Sequence, residues 1–145
     1  MRVWRFAIVV GMLILQGCSA AMLQAVAEGL AQSGGNGGQQ LLIYGGTQHK
    51  IFLGCLNCSK GDQSSVLNNY GSFGSAYSGT SIFNRYSEHG SLYSATSACN
   101  AYASDPPVIV DRNGKFYGRL TLNKYHSQAS RDGNTIAWLT AVCKS

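Results

Sequence analysis

The chain has 145 residues, 45% of them hydrophobic and only 12% charged, with eighteen glycines and two prolines. That length fits one domain, and the glycine content points to a turn-rich chain and away from a helical bundle. The formal net charge is +5; without Arg2 and Arg5, nine basic residues face six acidic ones, a net +3. The basic residues stand singly from Lys50 to Lys144, so neither charge nor clustering predicts a nucleic-acid surface.

The chain opens with a basic "MRVWR", a ten-residue apolar run "FAIVVGMLIL" and a small polar "QGCSA". That three-part layout is an export signal, and the apolar run is too short to span a bilayer as a helix. "LQGC", Leu15 to Cys18, resembles the lipobox of bacterial lipoproteins. The resemblance implies a signal peptide over residues 1–17, cleavage before Cys18, and acyl chains on that cysteine. Several chains at about 0.8 kcal/mol per buried methylene hold a small domain on a membrane. Ser19, which is not Asp, implies the outer membrane, with the domain facing the periplasm. Residues 18–40 then form a tether. "SAAMLQAVAEGLAQ" favours a short helix, and "SGGNGGQQ" is a flexible linker by composition.

The folded domain is expected over residues 41–145. "LLIYGG" and "KIFLGCLNC" read as two strands around a Gly-Gly turn. "PPVIVDRNGKFYGRLTLNKY" reads as a β-hairpin, its β-branched strand and returning segment joined by "DRNG". "TIAWLTAVCKS" fits a final strand or a short helix. Together these predict a small single-domain α+β fold.

Between the hairpins, roughly Ser65 to Ala103, the sequence repeats every sixteen residues. Ser65, Ser81 and Ser97 align, as do Asn68, Asn84 and Asn100, and Tyr70, Tyr86 and Tyr102. Tyr77 aligns with Tyr93, and Gly74 with Gly90. A fixed period means a repeated small structure whose units must stack to bury their apolar pairs. Each unit is expected to be a capped helical turn followed by a short extended piece, with Leu67, Phe83 and Cys99 facing one interior. Phe73 and His89 share a variable slot expected to tolerate Ala.

"GCLNCS", the "YGSFGSAYSGTSIFNRY" repeats and "NAYASDPPVIVDRNGKFYGRLTLNKY" resemble a family of small exported bacterial proteins. Its members carry YGxYGSxYSxxSIWN repeats before a PPxIVDxxGxFYGxLTxN segment. Phe83 stands where Trp is common, and Leu67 where some members have Cys. The resemblance implies export but no particular activity.

Apart from Cys18, the cysteines are Cys55, Cys58, Cys99 and Cys143, an even number in an oxidising compartment, which favours disulfides. Three pairings are open. Cys55–Cys58 with Cys99–Cys143 is preferred, because the final segment otherwise has little to fasten it to the repeats. The Cys55-x-x-Cys58 spacing also suits a metal or a redox pair, but no second close pair and no βαβ pattern accompany it. No G-x-S-x-G is present, and Asp62, Glu88, Asp105, Asp111 and Asp132 have no distinguishing context. The sequence therefore implies no catalysis, cofactor or metal. Two functions remain: a structural or protein-interaction lipoprotein of the envelope, and a glycan-binding module. In the second, Tyr70, Tyr77, Tyr86 and Tyr93, with Asn68 and Asn84, contact peptidoglycan or a surface polysaccharide. Buried rings favour the first, and rings aligned on an open groove favour the second. Cys18→Ser should stall processing or release the protein from the membrane fraction; unchanged cleavage and membrane association would refute the anchor.

Overall fold

The computed structural model describes residues 38–145. The signal, Cys18 and nearly all of the tether lie outside that range. Four strands form an antiparallel sheet: β1 (Leu42–Gly45), β2 (Ile51–Cys55), β3 (Val108–Val110) and β4 (Phe116–Arg119). Their order is β2-β1-β3-β4. A single helix, α1 (Gly133–Lys144), closes the described chain. The domain is thus a small α+β fold.

The sheet has an approximate internal twofold centred on the pair Ile43↔Ile109, where β1 meets β3. Ile43 pairs with Gly54 in one hairpin, and Ile109 with Gly118 in the other. A register irregularity follows each of these pairs. Gly54 and Gly118 have φ of +115° and +109°, and an added Cβ would fall 2.8 Å from Val66 and 2.9 Å from Ser130. Only glycine permits both the φ and the contact. Beyond them the chain wraps back in the same way twice. The Cys55 backbone bonds to Ser64 O and Val66 N, and the Arg119 backbone to Gln128 O and Ser130 N. Ser64 N donates to Asp62 Oδ1, and Gln128 N to His126 Nδ1. Each wrap covers an outer strand edge, which an open sheet would leave available for aggregation.

Between β2 and β3 no residue of 66–107 lies in a strand or helix. The extended piece expected in each unit is absent; turn follows turn. The backbone is satisfied by turn bonds, such as Asn84 N to Ser81 O and Ser87 N to Asn84 O, and by short side chains. Leu67 N, Phe83 N and Cys99 N donate to the hydroxyls of Ser65, Ser81 and Ser97 at 3.0–3.1 Å. Val66, Ile82 and Ala98 are fully buried, while Leu67 and Cys99 are buried and Phe83 packs half-buried on the same core. Gly90 sits over the preceding turn, where an added Cβ would lie 2.3 Å from Asn84 O; at Gly74 the distance to Asn68 O would be 2.2 Å.

The final segment is helical despite its β-branched residues because both its cap and its stripe suit a helix. Asp132 Oδ2 accepts from Thr135 N at 2.8 Å. Thr135, Trp138, Leu139, Val142 and Cys143 are buried, an i, i+3, i+4, i+7 pattern. The Trp138 ring meets Phe83 edge-on at 6.0 Å. The disulfide Cys99–Cys143 ties α1 to the third unit, and Arg85 Nη2 donates to the carbonyls of Cys143 and Ser145. The second disulfide is Cys55–Cys58, with both residues buried.

Gly90→Ala should destabilise by about 1–3 kcal/mol, as overpacking against a backbone carbonyl does. Gly79→Ala, in the same stretch but with open space around it, should be nearly neutral. Urea melts of the two variants check this; equal midpoints would contradict the packing.

Candidate functional site

The feature that stands out is a set of tyrosines. Tyr70, Tyr77, Tyr86 and Tyr93 expose 90–101% of their reference area, and Tyr102 and Tyr125 expose 86% and 81%. Burial therefore holds none of them in place. A tyrosine that packs between units, as a purely structural repeat needs, would lie near the other end of the scale.

Their backbone positions are fixed. Tyr70 N, Tyr86 N and Tyr102 N donate to the Oδ1 atoms of Asn68, Asn84 and Asn100 at 2.9–3.1 Å. Tyr77 N and Tyr93 N donate to the hydroxyls of Ser75 and Ser91. Asx and Ser turns of this kind set the chain direction locally. The asparagines also hold on from the other end. Nδ2 of Asn68, Asn84 and Asn100 donates to the carbonyls of Asp62, Ser78 and Ser94. Asn68 and Asn84, read from the sequence as amides offered to a ligand, are therefore engaged with the backbone and act by positioning tyrosines.

The sixteen-residue register does not reveal a further turn. Asn123 Oδ1 accepts from Tyr125 N at 3.1 Å, as the three repeat asparagines do for their tyrosines. Its Nδ2 donates to Ala103 O, and Leu122 N donates to Ala98 O, so this turn docks on the third unit. The triplet Asn-x-Tyr, searched without regard to period, would have found it. All six exposed tyrosines follow Asn-x or Ser-x; the other two, Tyr44 and Tyr117, are half-buried.

The surface of residues 65–104 is almost uncharged. Arg85 and Glu88 are its only formal charges at neutral pH. Arg85 caps α1, and Glu88 Oε1 accepts from the Thr96 hydroxyl. The four cysteines read as possible ligands or a redox pair are instead in the two disulfides. Among the described residues no three His, Cys, Asp or Glu side chains converge as a metal site would need. His49, Asp105 and Arg119 do meet. Asp105 Oδ1 lies 3.0 Å from His49 Nε2 and accepts from Arg119 Nη1, which also donates to Pro106 O. This cluster pins the β1–β2 turn, where Gln48 and His49 have positive φ, to the start of the second hairpin.

His89 departs from the expectation of a tolerant slot. It is only 4% exposed, and its Nδ1 has no hydrogen-bond partner among the described residues. Phe73, its counterpart, packs edge-on against Phe52 at 4.9 Å. Both side chains fill space over the sheet. Burial lowers the His89 pKa below 6.5, against a raising influence from Glu88.

No family model matches the chain, and no curated protein or solved structure gives a significant match.

Because the folded-state pKa of His89 is depressed, the unfolded chain binds the proton more readily. Stability from neutral His89 is then present above about pH 6.5 and declines as pH falls toward the lowered folded value. His89→Phe, which copies the first unit, should flatten that slope in melts between pH 7.5 and 4.5. At pH 7.5 it should gain about 1 kcal/mol by removing an unpaired buried nitrogen. A variant with the wild-type pH slope would show that His89 is not the responsible group.

Proposed function

We propose that this protein is a lipid-anchored lipoprotein of the bacterial envelope that binds a polysaccharide through its exposed tyrosines. The observation that carries the reading is that every tyrosine of the repeats is solvent-exposed while its backbone is fixed by an Asx or Ser turn. Exposed aromatic rings on a fixed scaffold are poor stabilisers and good contact surfaces. A tyrosine ring offers an apolar face to the C–H side of a sugar and a hydroxyl to its oxygens. It does so at low entropic cost, since only two χ angles need be fixed. The neutral surface around the rings favours sugar hydroxyls over phosphate backbones, which are held by Lys and Arg.

The anchor and address of this reading rest on the signal-like leader and the "LQGC" sequence. The finer view of the fold, a stack of like units, rests on equivalent bonds in Ser65–Thr80 and Ser81–Thr96. A polymer with repeating sugars is the natural ligand of a repeated contact, because weak contacts at a common spacing add through effective concentration. A purely structural or protein-interaction role is the competing account, and one set of variants separates the two.

The triple variant Tyr70→Ala, Tyr86→Ala, Tyr102→Ala should melt within about 0.5 kcal/mol per substitution of wild type, as exposed positions do. It should also lose retention on peptidoglycan sacculi and on immobilised neutral glycans. Retention equal to wild type would refute the glycan reading. A large loss of stability would restore the structural role.

A further inference from the structure

The turn at Asn123–Tyr125 differs in chemistry from the other turns and stands beside a groove of about 620 Å³ between this segment and α1. Lys124, Tyr125, His126 and Arg131 line one part of it, and Ile136 and Thr140 of α1 another. No Asp or Glu is among the lining residues. The nearest carboxylate in sequence, Asp132, is engaged as the helix cap. Lys124 Nζ lies 5.1 Å over the Tyr125 ring, so an ammonium group sits against the aromatic face. Ile136, 41% exposed, adds an apolar wall. This combines a flat ring, an apolar wall, two exposed cations and no opposing charge. In residues 65–104, by contrast, the only two charges are already engaged.

We propose that this groove is a subsite for an anionic sugar, one bearing a carboxylate or a phosphate, at the end of the tyrosine set. The inference rests on the polysaccharide reading above and narrows its ligand to an acidic polymer. The Tyr125 ring takes the apolar face of the sugar. Arg131 offers a planar donor fork suited to a carboxylate or phosphate, and Lys124 supplies a point charge. Docking of Asn123 and Leu122 on Ala103 and Ala98 holds the subsite against the third unit.

The test uses the full chain purified in detergent and three immobilised polymers: polygalacturonate, phosphomannan and neutral dextran. The expected result is preference for an acidic polymer, weakening with added salt. Lys124→Gln with Arg131→Gln, both exposed, should lower that binding by about tenfold or more, as loss of a charged hydrogen bond does. Dextran binding and the melting temperature should not change. Preference for polygalacturonate or for phosphomannan supports the subsite and identifies the anionic group. Wild-type retention of the acidic polymer by the double variant overturns the subsite. Dextran binding without acidic preference also overturns it and leaves the tyrosine reading standing. Retention of none of the three polymers overturns both.

Discussion

A buried backbone amide or carbonyl must find a partner, and this chain meets that requirement over residues 66–107 without a helix or a sheet ladder. The partners are carbonyls of the same turn, as for Asn84 N on Ser81 O and Ser87 N on Asn84 O, together with short side chains at fixed offsets. A Ser hydroxyl takes the amide two residues on, an Asn oxygen does the same, and the Asn nitrogen reaches a carbonyl six residues back. The composition follows from this. Serine and asparagine recur because they are the shortest side chains that complete a turn. Glycine is needed wherever one turn lies against the carbonyls of the one before, as at Gly74 and Gly90. The strict register has the same origin, because a one-residue slip would misplace every donor. The exposed tyrosines follow as well: two residues beyond Asn68, Asn84, Asn100 and Asn123, and beyond Ser75 and Ser91, a tyrosine faces outward, whereas two beyond Ser65, Ser81 and Ser97 the side chain turns to the core. In the proposed function, the bonds that replace secondary structure also present the binding groups.

The sheet supplies what the turns lack, a continuous apolar floor. Ile43, Leu53 and Ile109 are fully or nearly fully buried, and the apolar pairs of the units join them in one cluster. The twofold relation explains why two hairpins of different sequence match bond for bond. The wrap after β2 uses Asp62 where the wrap after β4 uses His126, an acceptor at the same point of the same turn. The halves part only beyond Val66 and Ser130. There the first continues into the repeats and the second into α1. Cys99–Cys143 and the Arg85 cap then join those two continuations. That bridge closes a loop of sequence separation 44 against 3 for Cys55–Cys58, and the longer loop restricts the unfolded chain more.

The hairpins were legible because "DRNG" and the β-branched segments carry local signals that the sheet reinforces. The chosen cysteine pairing agrees with the two bridges observed, on an argument about fastening the last segment. That segment was not legible as helix or strand. Ile136, Thr140 and Val142 favour strand, while Asp132 as a cap and the i, i+3, i+4 stripe favour helix, and burial of the stripe decides. The twofold relation was hidden because its sequence trace is short: Phe52, Gly54 and Leu56 recur as Phe116, Gly118 and Leu120, an F-x-G-x-L match 64 residues apart, while the segments that wrap back after them share little. The His89 position carries a similar lesson. A slot that holds Phe in one unit and His in the next reads as tolerant, yet His89 is buried beside Gly45, and Phe73 packs partly buried beside Gly54. Exposure of the tyrosines could not be read at all, since Tyr is as common in cores as on surfaces.

The two sides of the proposed binding surface face different physical problems. Around the repeat tyrosines, Arg85 and Glu88 are hydrogen-bonded within the fold, so in the proposed function contact there depends on ring area and hydroxyl bonding and varies little with salt. Around Tyr125, Lys124 and Arg131 make no ion pair with any described carboxylate, so in the proposed function contact there would be salt-sensitive. On that proposal a neutral polymer would engage the first region alone, and an acidic one both, the second contact then occurring at the effective concentration set by the first. Selectivity for acidic glycans thus needs no tight site. It requires one charged turn docked on a neutral array, which is the arrangement that the bonds from Asn123 and Leu122 to the third unit create.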